Sequence, residues 1–251
     1  MSCRYRTLVT AHAGCEGSIE NTVDSVIAGI EAGADIIEVD IRTSSDGMPV
    51  LIHNPSLPGP DGSHLTVSDH PYEALVSFAR THAMELTPLE DVLDIIREQQ
   101  CMLNLDMKDI RGIGELEKRV STFGLLDHVV LSGCSTEWAR LVKQNHPKIQ
   151  VLLNAYHDPS SLEEEQYRLY VNSLCRTAAA IGSCGINIDY TMCRPYLVDY
   201  ARRRFLPVSV WTVDSESRMQ DMLRMGVFAV TTYYPKKLRQ LMMQDASHLL
   251  L

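Results

Sequence analysis

The chain has 251 residues, is 45% hydrophobic and carries a formal charge of −9 at pH 7. That length folds as one or two domains, and the apolar content supports a large core, which excludes a disordered chain. The acidic balance excludes an electrostatic footprint for nucleic acid and offers nothing obvious to an anionic membrane, so an anionic substrate has to be held locally, by a metal or a few cationic side chains.

Short β-branched runs alternate with longer stretches of helical periodicity, the pattern of repeated βα units around a parallel sheet. The first strand is expected over 7–11 and the first helix over 20–32, ended by Gly33 as a left-handed cap. A strand over 36–41 follows. Asp46-Gly47 then turns the chain, and 49–52 runs on to His53 as a short extension or hairpin would. Residues 54–87, with Pro55, Pro58, Gly59, Pro60 and Asp61-Gly62, read as a long loop holding a weak helix near 71–80. On the face carrying His53, such an insertion is expected to help wall a substrate pocket. Thr87 is expected to cap a helix over 88–99, with Pro88 at its first position and Glu90 in its first turn. Strands over 102–107, 128–131, 150–153, 185–188, 208–211 and 228–230 then alternate with helices over 113–123, 135–145, 161–181, 195–204, 215–225 and 235–243. Ser135 and Ser215 offer caps to two of these helices, and Gly226 ends the second. Eight strand–helix pairs is the count of a (β/α)₈ barrel, and no repeat, low-complexity tract or linker divides the chain, so 1–251 reads as a single α/β domain.

Seven cysteines, at 3, 15, 101, 134, 175, 184 and 193, make an odd count with no Cys-x-x-Cys pair. Zinc ribbons and thioredoxin-type motifs are therefore unsupported, and free thiols in a reducing compartment are expected. Behind Arg4 and Arg6 the apolar run is short and broken by His12 and Gly14, so no signal peptide is read. No apolar stretch reaches transmembrane length. A cytoplasmic protein without stable membrane insertion is expected; a homo-oligomer is left open. The Leu- and Met-rich end, 238–251, either caps the barrel or docks a partner.

Barrel active sites lie at the C-terminal ends of the strands, and His12, Asp40 and Asp106 fall at or near such ends. Glu38 and Asp40 are two apart on one strand and share a face; Asp106 and Lys108 repeat the arrangement. The run Ile36, Ile37, Val39, Ile41 is apolar on both faces, which marks a central strand rather than a solvated edge. Carboxylates there are costly unless paired or metal-bound. Three hard oxygen ligands suit Mg²⁺ or Ca²⁺, and His12 with His53 supplies an acid–base pair near neutral pH. Together they describe metal-assisted cleavage of a phosphate ester. Lys108 either faces the phosphate or pairs with Asp106 or Asp109, and Cys15 reads as a passive thiol.

The residues resemble the glycerophosphodiester phosphodiesterase family. The resemblance is carried by His12-Ala-Gly14, Glu20-Asn-Thr22, Gly33-Ala-Asp35-Ile-Ile-Glu-Val-Asp40, Thr43-Ser-Ser-Asp-Gly47 and Val50-Leu-Ile-His53. It continues through Thr87-Pro-Leu-Glu90, Leu103-Asn-Leu-Asp-Met-Lys108, Val210-Trp-Thr-Val-Asp214 and Gly226-Val-Phe-Ala-Val-Thr-Thr232. It implies a TIM barrel of the phospholipase-C-like phosphodiesterase type that cleaves glycerophosphodiesters to sn-glycerol 3-phosphate and an alcohol with one divalent cation. It implies His12 and His53 as the acid–base pair and Glu38, Asp40 and Asp106 as metal ligands. Lys108 would contact phosphate, Trp211 would line the glycerol or headgroup pocket, and Glu20 would act as a brace behind the ligands.

The sequence departs from the family pattern at four places. Ala13 replaces an arginine, Asn54 an aspartate, Asp106 the more usual glutamate, and Tyr233 an Asp or Asn. Ala13 removes a bidentate phosphate contact that Lys108 cannot replace in kind, and Asn54 removes a carboxylate beside His53. The sphingomyelinase D-like phospholipases share the missing arginine and the aspartate ligand. Two alternatives therefore stand beside hydrolysis: a lyase making cyclic phosphates from lysophospholipid-like diesters, and a degenerate barrel that binds phosphodiesters without turnover.

Overall fold

In the computed structural model of the chain the described residues are 6–60, 62–155 and 161–248, the side chains of 245–248 excepted; Cys3 and Asp61 lie outside them. The strands are β1 (Leu8–Ala11), β2 (Ile36–Thr43), β3 (Pro49–Leu51), β4 (Ser56–Pro58), β5 (His64–Thr66), β6 (Met102–Met107), β7 (Val129–Cys134), β8 (Gln150–Asn154), β9 (Gly185–Asp189), β10 (Val208–Trp211) and β11 (Ala229–Thr232). The helices are α1 (Val23–Glu31), α2 (Tyr72–Thr81), α3 (Leu89–Gln99), α4 (Ile113–Thr122), α5 (Thr136–Asn145), α6 (Glu164–Ile181), α7 (Pro195–Arg202), α8 (Glu216–Met225) and α9 (Pro235–His248). Eight strands, β1, β2 and β6 to β11, pair in parallel in that order, and β11 returns to β1, so the sheet closes into a barrel with helices outside it. This is the expected single-domain (β/α)₈ architecture.

Alternation along each strand divides two environments. On β2, Ile37, Val39 and Ile41 are buried under the helices, while Glu38 and Asp40 point to the barrel interior. The apolar layer lies between sheet and helices, with Val9, Leu105, Leu131, Val151, Ile186, Val210 and Val230 fully buried in it. The interior is polar: Thr10, Asn104, Asn154, Asn187, Ser209 and Thr231 are buried there. A site built on such strands is preorganised by the sheet itself.

Local chemistry sets the helix ends. The Thr22 and Ser135 side chains accept from the amides of Ser25 and Trp138, both at 3.2 Å, capping α1 and α5. Gly33 (φ 80°) and Gly226 (φ 71°) turn the chain out of α1 and α8. Thr87 does not cap α3. Pro88 is itself the N-cap in extended conformation, and the Thr87 hydroxyl donates instead to Glu85 Oε1 at 3.1 Å. Ser215 sits at the N-cap of α8 but makes no capping bond.

The segment 54–87 is more ordered than a loop. Within it β4 pairs with β5 and α2 covers them, while just before it β3 folds back antiparallel on β2 through the Asp46-Gly47 turn, as the hairpin expected over 49–52. Val50, Leu57, Val67 and Leu75 form a separate buried cluster under this arm. At the other end of the chain, Leu238 and Leu241 of α9 are buried against the barrel. Arg239 fastens that helix, reaching Asp35 Oδ1 at 2.5 Å and donating to the Gly33 carbonyl at 2.6 Å. The described part of the C-terminal segment thus packs within the chain. No helix among the described residues is long and apolar enough to cross a membrane.

Candidate active site

His12, Glu38, Asp40, His53, Asp106, Lys108 and Trp211 line one cavity of about 330 Å³ at the C-terminal end of the barrel. Strand register brings the carboxylates together. β2 and β6 pair with Asp40 beside Asp106 and Glu38 beside Asn104, so residues 66 positions apart share a wall. Glu38, Asp40 and Asp106 each present an oxygen within 4.8 Å of the others. One cation can span that separation.

The electrostatics fit a cation. Burial, then the charges of Asp40 and Asp106, push the Glu38 carboxyl well above its usual range. Ionising Glu38 beside Asp40 and Asp106 in this buried position is therefore unfavourable, a cost that a bound cation would offset. Lys108 answers part of it, with Nζ 2.5 Å from Asp106 Oδ2 and 3.0 Å from Asp40 Oδ1. Burial opposes the ammonium charge, but the two carboxylates more than compensate and raise its pKa. Lys108 thus pairs with Asp106 and Asp40, and Asp109 is turned to the Thr43 amide at 3.0 Å.

Each ligand candidate is held from behind. Asn21 donates from Nδ2 to Asp40 Oδ2 at 2.9 Å and accepts the Asp40 amide at 2.8 Å. The Ala13 amide donates to Glu38 Oε2 at 2.9 Å, and the Ser132 hydroxyl donates to Asp106 Oδ1 at 2.8 Å. Gly133, at φ 71°, lets β7 approach: a Cβ there would stand 2.6 Å from Asp106 Oδ1.

The two imidazoles are held differently. His12 Nδ1 lies 2.9 Å from the Ala13 carbonyl, which can only accept, so Nδ1 carries a proton. Its ring stacks on Tyr233, centroids 4.3 Å apart at 35°, and Nδ1 is 3.6 Å from Glu38 Oε2. His53 is exposed at the rim, and its Nδ1 is 3.4 Å from Asn54 Oδ1. Two polar atoms of cavity-lining residues, Trp211 Nε1 and Asn104 Oδ1, are buried without a partner among the described residues. Such atoms are costly unless a ligand or water meets them.

Some expected positions fall elsewhere. Glu20 is exposed, and the bracing bonds to Asp40 come from its neighbour Asn21. Among the described residues of 54–87 none lines the cavity, and that arm packs on its own apolar cluster. Asn21, Ser132, Gly133, Asn104 and the Tyr233 stack were not read from the sequence. Asn21 adjoins Glu20 in a quoted motif, and its φ of 61° is one that asparagine tolerates. Cys15 is buried, which pushes its thiol up to about 11, as a passive role requires.

The family model of the glycerophosphoryl diester phosphodiesterases matches residues 11–237 of the chain. A glycerophosphodiester phosphodiesterase of Caldanaerobacter subterraneus is 26% identical, over 93% of this chain and 96% of that protein. Among solved structures, a glycerophosphodiester phosphodiesterase assigned in Galdieria sulphuraria superimposes with a TM-score of 0.80 at 20% identity, covering 96% of this chain and all of that one (100%). An Oleispira antarctica phosphodiesterase, solved in complex with the product sn-glycerol-3-phosphate, has a TM-score of 0.68 at 22% identity and covers 93% and 95% of the two chains.

Proposed function

The chain belongs to the glycerophosphoryl diester phosphodiesterase family, and on that premise we propose that it hydrolyses glycerophosphodiesters to sn-glycerol 3-phosphate and an alcohol. The observation that carries the reading is the convergence of three carboxylates within 4.8 Å and two imidazoles on one cavity. The Oleispira neighbour's bound product supports the choice of substrate.

Glu38, Asp40 and Asp106 would hold one divalent cation, Mg²⁺ or Ca²⁺, through hard oxygen donors. When bound, that cation would polarise the phosphoryl group and offset charge developing on its oxygens. Lys108 adds a cationic donor beside the same oxygens. One of His12 and His53 takes the proton of the nucleophile, and the other gives a proton to the leaving alkoxide; where the glycerol 2-hydroxyl is that nucleophile, water then opens the cyclic phosphate to give sn-glycerol 3-phosphate. Trp211 lines the glycerol or headgroup end, where its unpartnered Nε1 offers a donor. The six described cysteines are free, which supports a cytoplasmic setting.

Phosphorus NMR of the products from glycerophosphocholine and from lysophosphatidylcholine tests this reading. The expected result is sn-glycerol 3-phosphate from the first, abolished by EDTA and restored by Mg²⁺ or Ca²⁺. A cyclic phosphate product would assign the cyclising chemistry instead. Substrate binding without product would assign a degenerate barrel, and chelator-resistant turnover would remove the metal.

A further inference from the structure

At the end of the barrel away from the cavity, the turn from α7 into β10 reads Arg202-Arg203-Arg204-Phe205. Phe205 is 94% exposed, the highest value among the exposed large hydrophobics of the described residues. Its backbone is held at φ 58°, a strained region for a bulky side chain, with its amide bonded to the Arg202 carbonyl at 3.1 Å. Burial repays neither cost. Strain and exposure together on one phenyl ring point to use rather than packing.

A groove of about 1210 Å³ opens beside this turn between α7 and α8. Its lining includes Leu206, Met222 and Phe228, the last 44% exposed. It also includes Arg6, Arg202, Arg218 and Arg224, with Asp199 and Asp221 as its carboxylates. Asp221 serves both Arg218 at 3.3 Å and Arg224 at 2.5 Å, Asp199 meets Arg202 at 3.8 Å, and Arg6 meets Asp35 at 3.8 Å. Arg203 lies over the Tyr200 ring at 5.7 Å, and both Arg203 and Arg204 are exposed. At the far end Arg6, Arg202, Arg203, Arg204 and Arg224 outnumber Asp35, Asp199 and Asp221, on a chain of formal charge −9, while Arg218 stands in the first turn of α8, toward the mouth. The loops around the cavity mouth are mixed in sign, with Glu16, Glu20, Asp189 and Asp214 beside Arg194, Arg218, Lys236 and Lys237.

We propose that the arginine cluster with Phe205 at its tip docks the protein on an anionic phospholipid bilayer, leaving the cavity mouth in the aqueous phase. Guanidinium groups pair bidentately with lipid phosphates, and the phenyl ring enters the headgroup boundary without any spanning segment. The cavity mouth lies at the other end of β9 and β10 from the arginine turn, and salt screens its carboxylates from the docked face. A flat bilayer meets this one face alone and receives the exposed Phe205 ring, which contacts to a phosphate backbone would leave unused. The orientation suits an enzyme whose substrate is a water-soluble remnant of lipid.

Cosedimentation of the purified full chain with phosphatidylcholine vesicles, with and without phosphatidylglycerol, tests the proposal. Binding is expected only to the anionic vesicles, and it should weaken as salt rises from about 0.1 M to about 0.5 M. Removing Arg203 and Arg204 as glutamines should lower partitioning about fivefold each, and Phe205→Ser about tenfold, with the turnover of glycerophosphocholine unchanged. Equal binding to neutral vesicles, or wild-type partitioning by these variants, overturns it. So does an RNA mobility shift without vesicle binding, or a dimer that Phe205→Ser converts to monomer in the absence of lipid. A chain that binds vesicles but shows no phosphodiesterase activity would support the docking face while refuting the catalytic reading.

Discussion

Replacing Asn21 by alanine tests whether the acidic trio is a prepared ligand set. Asn21 makes two bonds to Asp40, at 2.9 Å to the carboxylate and 2.8 Å from the amide. Asp40 is only 2% exposed, so water does not readily replace them. Each buried partner left unsatisfied costs about 1–3 kcal/mol. Alanine at the φ of 61° held by Asn21 costs about 1 kcal/mol more. The expected loss is about 4 kcal/mol, which for a chain of this size lowers Tm by roughly 8–16 °C. Because Asp40 loses its orientation, affinity for Mg²⁺ or Ca²⁺ should fall about 10–100-fold. Scanning calorimetry of the ion-free protein and titration calorimetry of the ion measure the two effects. Asn21→Gly separates them, since glycine relieves the backbone strain but not the missing brace; it should share the loss of affinity. An Asn21→Ala protein that melts and binds the ion like wild type would refute the reasoning.

His12→Ala and His53→Ala should each lower kcat/KM about 10²–10⁴-fold with the circular dichroism spectrum unchanged; near-normal turnover of either purified variant removes that residue's role. Tyr233→Phe should keep activity, while Tyr233→Leu should lower kcat up to about tenfold at constant KM, the worth of one aromatic contact on His12; equal rates in the two variants would dismiss the stack. Burial, Asp40 and Asp106 raise the Glu38 pKa above its ordinary 4.5, so the folded state favours the protonated form. Its contribution to stability is complete below about 4.5 and is lost as pH rises through the folded value. Without ions, Glu38→Gln should therefore flatten the fall of Tm above that pH, and an unchanged slope would count against the buried charge.

How far the fold was legible depended on what each strand faces. Strand starts were found to within a residue, because they are apolar runs buried on both sides. The ends of β1, β6 and β10 match the expectation at 11, 107 and 211, but other strand ends run further than expected. β2 runs to Thr43 rather than 41, β7 to Cys134 rather than 131, and β11 to Thr232 rather than 230. The missing residues include Arg42, Ser132, Thr231 and Thr232, polar because the C-terminal ends of the strands carry the site. Polarity that marks function thus reads locally as loop. The arm over 54–87 escaped for a different reason, since strands of three residues such as β4 and β5 are too short to show a period. Tyr233 against His12 is a contact across the seam where β11 meets β1, and only closure of the barrel creates it.

The carboxylate trio was legible because one alternation specifies both the fold and the site. Along β6 and into Lys108 just after it, Leu103, Leu105 and Met107 are buried in the apolar layer, Met107 also bordering the cavity, while Asn104, Asp106 and Lys108 line the cavity. Sliding β6 by one residue against β2 would exchange the two sets. It would place a carboxylate and an ammonium beneath helices that offer them no water. It would also withdraw three apolar side chains, worth about 1.5–3 kcal/mol each, from the core. The register that sets Asp106 beside Asp40 is therefore enforced in large part by Leu103 and Leu105, which do not line the cavity. The cost of crowding Glu38, Asp40 and Asp106 is met by the packing of Leu103, Leu105 and Met107 on the opposite face, so a polar substitution among those three should disturb the site through the strand before it disturbs any ligand directly.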